Sequence, residues 1–141
     1  MKLRFAVIAF ALASLASPST VSATDADPTV DAIAAAREWL SVVDAGRYDQ
    51  SWDDAAALFK QHISKSQWQR AVGDVRKQTG ALNTRELESA QPAHHLPGVP
   101  DGDYVVIVYR TSFAAIPAAT ETVTPMRDPD GRWRVAGYRV K

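Results

Sequence analysis

The residues of this chain best suited to proton-transfer chemistry are one carboxylate and two tyrosines in its C-terminal half. Glu121 alternates with Val123 and Pro125 in a strand-like segment, so these three side chains share one face, and we expect Glu121 to point inward. A carboxylate in an apolar interior has a raised pKa and can act as a general acid or base. Tyr109 and Tyr138 are the predicted neighbours for such a proton carrier, as in a small isomerase or hydratase.

An alternative role for Glu121 is structural. A cross-strand ion pair with Arg85, Arg110 or Arg134 would fix the register of a sheet. We favour the ion pair, because general acid chemistry also requires a complementary group that the sequence does not identify. Replacement of Glu121 by Gln is then expected to lower stability more than it changes any binding. No catalytic residue is assigned.

Two adjacent histidines, His94 and His95, are the only candidates for a metal site. Catalytic zinc sites use three protein ligands and structural sites four, and the one other histidine is His62. Neighbouring residues rarely point to one centre. We therefore interpret the pair as a solvated loop and predict neither a metal nor a cofactor.

Four tryptophans are the largest apolar side chains of the chain. Trp52 and Trp68 fall on apolar helical faces, Trp39 lies beside such a face, and Trp133 follows a turn. We expect all four in or near the core, with an aromatic binding box as the alternative. For a ligand in the interior, four lining residues are predicted: Tyr109, Glu121, Trp133 and Tyr138.

Helices are predicted in the first half of the chain. Asp27 before Pro28 is typical of a helix start, and Gly46 ends that helix. A second amphipathic stretch extends from Tyr48 to Ile63. A third begins at a capping box formed by Ser64 and Gln67, and it ends at Gly80.

The hydrophobic period changes after Gly80 to that of strands. Four strands are predicted, over 82–91, 104–113, 119–127 and 132–140, with a proline- and glycine-rich loop at 92–103 and a hairpin turn at 128–131. Three helices followed by about four strands give an α+β order. We expect an antiparallel sheet, curved over the helices into a cone, in one domain at 30–141 after a flexible lead at 24–29.

The first 23 residues have the layout of a secretory signal peptide. Lys2 and Arg4 precede the apolar run 5–16, and small residues lead to a cleavage site after Ala23. At 1.5 Å per residue this run covers roughly 18 Å as a helix, whereas a bilayer core measures about 30 Å. The sequence therefore predicts export to the periplasm or outside the cell, with no membrane anchor after cleavage.

Composition narrows the function classes further. The chain has 16 basic and 16 acidic residues, and cleavage of the signal peptide would remove two of the basic ones, Lys2 and Arg4. The remaining 14 basic residues do not outnumber the 16 acidic ones, so the protein has no overall positive charge to attract nucleic acid. The absence of cysteine excludes disulfides, thiolate nucleophiles and lipid attachment at a signal-peptide cysteine. We expect a small apolar ligand or a protein as partner, with a homodimer as a further possibility.

Several separated motifs resemble a known family. They are Ala36–Leu40, Gly46–Tyr48, Leu96–Pro97–Gly98, Asp101–Val106, Glu121–Met126, Asp130–Val135 and Gly137–Tyr138. Together, over roughly 33–140, they resemble an exported bacterial family, domain of unknown function 4019. The order of elements is also similar to the cone-shaped fold of ketosteroid isomerase and nuclear transport factor 2. The resemblance implies no reaction, and a shared fold does not carry function. Our expectation is an exported, non-enzymatic binding module, with the isomerase or hydratase as alternative.

Overall fold

The structure of the protein is a computed structural model that describes residues 27–141. The predicted signal peptide and its cleavage site at Ala23 lie outside the described residues. Within 27–141, no helix combines the length and the apolar character needed to cross a membrane.

Four helices form the first half of the described chain: α1 (Pro28–Asp44), α2 (Tyr48–Asp53), α3 (Ala57–His62) and α4 (Lys65–Thr79). The side chain of Asp27 accepts a hydrogen bond from the backbone N–H of Thr29 and caps α1. Because α1 begins at Pro28, the last two residues of the predicted lead at 24–29 belong to this helix. The capping box of α4 is present as predicted, with Ser64 and Gln67 bonding each other's backbone N–H groups.

The predicted second helix is two short helices. The chain leaves the helical conformation after Asp53, and the backbone N–H of Ala56 donates a 2.9 Å hydrogen bond to the carbonyl of Val135. This bond attaches the junction to the edge of the last strand, and a continuous helix could not make it because its N–H groups bond within the helix. The apolar residues of the stretch still face the core, where Phe59 is buried.

The second half of the chain is a four-stranded antiparallel sheet in the order β1 (Leu82–Ala93), β2 (Tyr104–Phe113), β3 (Ala119–Arg127) and β4 (Trp133–Val140). The α+β class is confirmed. β2 and β3 have the predicted bounds, whereas β1 continues through Pro92 to Ala93, so the loop starts at 94. Pro92 is accommodated because β1 is an edge strand, where one side of the backbone needs no partner.

The two faces of the sheet differ in burial. The face towards the helices is buried and carries Val105, Ile107, Val123 and Val135. An aromatic cluster lies between this face and the helices: the rings of Trp39, Phe59 and Trp68 from the helices and of Tyr138 from β4 lie 5.0–6.2 Å apart in mostly edge-to-face contacts. Trp39 and Trp68 are therefore core residues, as predicted.

Candidate functional site

Glu121 points into the domain, and its side chain is fully buried on the inner face of β3. Its Oε1 accepts hydrogen bonds from Arg85 Nε and Thr111 Oγ1, both at 2.7 Å. Its Oε2 accepts from the Tyr138 hydroxyl at 2.6 Å and from Arg85 Nη2 at 3.2 Å. The strand register explains these contacts, because Glu121 and Thr111 are close on adjacent strands while Arg85 reaches across from β1.

Two further residues complete a charged cluster around this carboxylate. Asp44, in the last turn of α1, accepts two hydrogen bonds from Arg85, at 2.7 and 3.0 Å. Arg76 of α4 contacts Asp44 at 2.9 Å, Glu121 at 3.7 Å and the Tyr138 hydroxyl at 3.1 Å. Two carboxylates thus face two guanidinium groups, so the cluster is neutral although it is largely removed from water. We call Asp44, Arg76, Arg85, Glu121 and Tyr138 the buried ion cluster.

The surroundings of the cluster shift the titration of its members. Burial raises the pKa of Tyr138, and the negative charge of Glu121 adds to this effect, so the hydroxyl remains a proton donor to the carboxylate. Burial alone would lower the pKa of Arg85, but hydrogen bonds to Asp44 and Glu121 raise it overall. Both groups are therefore held in their protonated forms. The arrangement suits a fixed ion pair that links strands and helices.

Tyr109 lies beside Glu121 in the register of β2 and β3, yet it takes no part in the cluster. Its side chain is buried, and its hydroxyl makes no hydrogen bond within residues 27–141. Burial raises the pKa of this hydroxyl as well. None of the four cavities that we describe in residues 27–141 is lined by Tyr109, Glu121 or Tyr138.

A cleft of about 420 Å³ opens at the end of the sheet opposite to the buried ion cluster. We call it the sheet-end cleft. Its lining comes from the start of α1, the end of β1, the start of β2 and the junction of β3 and β4: Pro28, Asp31, Pro92, His94, Asp103, Tyr104, Val105, Arg127 and Trp133. Proline, valine and two aromatic rings supply the apolar part of its lining, and Asp31, His94, Asp103 and Arg127 supply a polar part of similar extent.

Trp133 is the central side chain of this region. It also lines two adjoining cavities beside α1, of about 470 and 330 Å³. The guanidinium of Arg127 lies over its ring, 5.5 Å from the ring centre. The indole N–H of Trp133 is buried and has no acceptor within the described residues. Arg127 makes no ion pair with any residue of 27–141, so both donors are uncommitted within this part of the protein.

The two adjacent histidines face different carboxylates. His94 Nδ1 lies 3.0 Å from Asp103, and His95 Nδ1 lies 2.7 Å from Asp101, with both imidazoles exposed. Across residues 27–141, no three histidine, aspartate or glutamate side chains are grouped so that they could hold a metal ion. The pairs tie together the ends of the loop between β1 and β2.

The structure brings together two of the four predicted site residues, Glu121 and Tyr138, as hydrogen-bonded partners. Trp133 lies elsewhere, in the sheet-end cleft, and Tyr109 lies next to the cluster without joining it. Of the three arginines considered for Glu121, Arg85 is the partner. Arg110 pairs with Glu88 and Arg134 with two aspartates of the hairpin turn.

Sequence reasoning missed Asp44 and Arg76 in the cluster and Arg127 in the cleft. One signal for Asp44 was present: an acidic residue in the last turn of a helix faces the negative end of the helix dipole and so needs a cation nearby. No periodic pattern marks Arg76, whose partners lie on other elements.

Comparison with known proteins supports the resemblance noted in the sequence. No curated protein matches the chain. A family model described as protein of unknown function (DUF4019) matches residues 35–138, from the middle of α1 to most of β4. Because this match spans about three quarters of the chain, the protein belongs to the DUF4019 family, whose function is unknown.

Proposed function

We propose that the protein is an exported, non-enzymatic module that binds a small amphipathic ligand in the sheet-end cleft. The observation that carries this proposal is the cleft itself. Its volume, about 420 Å³, falls in the range of about 300–1,000 Å³ that is typical of small-ligand sites. The apolar part of its lining would accept the apolar part of the ligand.

One uncommitted cation favours a ligand with an anionic group. Arg127 lines the cleft, is exposed and makes no ion pair within 27–141. The indole N–H of Trp133 also lacks an acceptor there, but it is fully buried, so a ligand reaches it only if the side chain moves. An amphipathic ligand whose anionic group contacts Arg127, and does not face the carboxylates of Asp31 and Asp103 that also line the cleft, therefore fits this surface better than a purely apolar molecule does.

The alternative function, proton transfer at Glu121, is supported by one distance. The Tyr138 hydroxyl lies 2.6 Å from the carboxylate, which is the spacing expected of an acid–base pair. However, Glu121 has no exposed surface and lines none of the described cavities, so a substrate has no route to it. We therefore infer binding rather than catalysis.

Export and the cone-shaped fold are parts of the same proposal. The signal-like residues 1–23 support export, and helices on one face of an antiparallel sheet support a fold similar to ketosteroid isomerase and nuclear transport factor 2. The intact mass of the native protein tests export: a chain that begins at Thr24 agrees with it, and one that still begins at Met1 contradicts it.

A binding experiment with two amphipathic anions tests the cleft. We would titrate ¹⁵N-labelled protein with anilinonaphthalene sulfonate and with decanoate and follow amide shifts by NMR. Saturable shifts confined to the lining of the cleft are expected. The variant Arg127→Gln should bind at least fivefold more weakly, because the anion loses its cation. Arg70→Gln, which neutralises an exposed arginine of α4, is the matched control and should bind like the wild type.

Two results would contradict this function. One is the absence of cleft shifts with both anions at millimolar concentration. The other is equal binding by wild type, Arg127→Gln and Trp133→Leu, which would place the anion elsewhere. Thermal unfolding of each variant separates a lost site from a lost fold.

A further inference from the structure

The outer face of the sheet, turned away from α1 and α4, is bordered at one end by Leu58 of α3, which lines a cavity together with Thr124 and Gly137, and is open over most of its area. Along β2 and β3 its side chains are Val106, Val108, Thr122 and Thr124, which alternate with the buried residues of the inner face. All four are half-buried rather than exposed. The middle of this face therefore has short, half-buried side chains that can pack against another sheet, and its charged residues lie towards the edges.

Opposite charges lie at the two edges of the outer face. On β1 are Glu86, which makes no ion pair within the described residues, and Glu88, which contacts Arg110 at 3.2 Å. On the other edge are Arg139 of β4 and Lys141, which follows β4 and pairs through its backbone with Thr120. Neither Arg139 nor Lys141 makes an ion pair within 27–141.

Arg110, opposite Glu86 on β2, offsets one of the two glutamates, and the remaining negative charge is too far from the basic edge to be neutralised by it within one chain. β1 and β4 are three strand spacings apart, about 14 Å at ~4.8 Å per spacing. Physiological salt screens exposed charges beyond about 8 Å. Stacked sheets, in contrast, lie about 10 Å apart, which long side chains from both sheets can bridge.

We propose that the outer face binds the outer face of a second copy of this chain, with the two-fold axis parallel to the strands. That operation places β1 of each copy over β4 of the other. In the strand register, Glu86 is level with Lys141, and Ser89, next to Glu88, is level with Arg139. Glu86 therefore faces the partner's Lys141, and Glu88 lies near the partner's Arg139. Each contact occurs twice because the interface is isologous.

The charges also make the other symmetric arrangement of two stacked sheets unfavourable. With the axis perpendicular to the strands, β1 would lie over β1 of the partner, and the two glutamates of each copy would face each other with only Arg110 of each copy beside them. Arg139 would likewise meet arginine and lysine. Like charges facing each other across an interface are unfavourable, so the pattern selects the first arrangement.

The size of the face predicts a weak dimer. Four strands give a width of about 19 Å, and the open part of β2 from Val106 to Ser112 is about 24 Å long. Beyond it the loop between β1 and β2 closes the face, where Leu96 and Val99 lie near Thr124. Both copies together bury about 900 Å², close to the ~1,000 Å² that a specific interface requires. We expect dissociation in the micromolar range, and the proposal is independent of the sheet-end cleft.

Sedimentation equilibrium of the protein from Thr24 to Lys141 tests the dimer and its orientation. The first variant, Glu86→Lys with Glu88→Lys, should dissociate at least tenfold more readily than the wild type, and so should the second, Arg139→Glu with Lys141→Glu. Mixed in equal amounts, the two variants should form a heterodimer, because each supplies the charges that the other lacks.

The control for net charge is Arg70→Glu with Lys77→Glu, which changes two exposed cations of α4 that make no ion pair within 27–141. This variant should dimerise like the wild type. A wild-type protein that is monomeric at 0.5 mM overturns the proposal, and so does a dimer that neither edge variant weakens. If an edge variant fails to fold, the neutral changes Glu86→Gln and Arg139→Gln replace it, each with an expected loss of about threefold or more.

Discussion

Replacement of Glu121 by Gln is the sharpest test of the buried ion cluster, because it keeps the shape of the side chain and removes its charge. The four hydrogen bonds at the carboxylate all come from donors, two on each oxygen. In Gln, one of the two oxygens is replaced by an NH₂ group, which cannot accept a hydrogen bond. Whichever way the amide is oriented, the two donors that bonded to that oxygen therefore lose their acceptor. Arg76 and Arg85 are then left with Asp44 as their only carboxylate, and one positive charge is uncompensated.

The expected cost is about 3–5 kcal/mol, as for other buried ion pairs that lose one partner. Against a total stability of about 5–15 kcal/mol for a domain, this is a large fraction, and it corresponds to a fall in Tm of roughly 12–20 °C. Urea unfolding followed by far-UV circular dichroism measures it directly. Asp74→Asn, which neutralises an exposed aspartate of α4 outside the cluster and outside the outer face of the sheet, is the matched control and should cost less than about 1 kcal/mol.

The paired replacement of Glu121 by Leu and Arg85 by Met refines the reasoning. It removes one charge of each sign and leaves the Asp44–Arg76 pair intact, so it should cost less than Glu121→Gln alone. A Glu121→Gln variant within 1 kcal/mol of the wild type would refute the claim that this carboxylate is buried and neutralised by arginine. A double replacement more costly than the single one would refute the charge argument while leaving the burial intact.

Two other predictions follow from single polar contacts. Ser51→Ala should cost about 1–3 kcal/mol in urea unfolding, because the buried indole N–H of Trp68 loses its 2.9 Å acceptor, whereas Ser66→Ala on the exposed side of α4 should be nearly neutral. The hydrogen bond from Arg134 lowers the pKa of Asp130 from 3.8 to about 2. This contact therefore stabilises the fold above the ordinary aspartate pKa and is lost as the pH falls through about 2. A ¹³C NMR titration that gives Asp130 a pKa near 3.8 contradicts the contact, and Arg134→Gln should raise the pKa only part of the way to that value, because the backbone N–H of Arg132 still donates to this carboxylate.

Local signals were sufficient for most of the secondary structure. The caps at Asp27 and Ser64 depend on hydrogen bonds within one turn, and the bounds of β2 and β3 follow from β-branched and aromatic residues between turn signals. The break at 54–56 was missed because the apolar period runs through it without interruption. It depends on a hydrogen bond to Val135, some 80 residues along the chain, which no local pattern reports.

The candidate sites were less predictable for the same reason. The alternation of Glu121 with Val123 and Pro125 correctly predicted that Glu121 points inward. The sequence analysis also named Arg85 as one of three possible arginine partners. The identity of the partner depends on the order of the strands, and Arg76 depends on how α4 lies across the sheet. Trp133 was expected in or near the core, yet its proximity to Arg127 arises only when the hairpin of β3 and β4 closes.

The buried ion cluster also has a consequence for how the chain reaches this structure. Its members come from distant segments: Asp44 and Arg85 are 41 residues apart, and Arg76 and Tyr138 are 62 apart. If one helix docked in a wrong position, a guanidinium or a carboxylate of the cluster would be buried without its partner, at a cost of several kcal/mol. We therefore expect compact forms with a misdocked helix to be less stable than the native structure by several kcal/mol, so that the cluster favours one arrangement of α1 and α4 on the sheet.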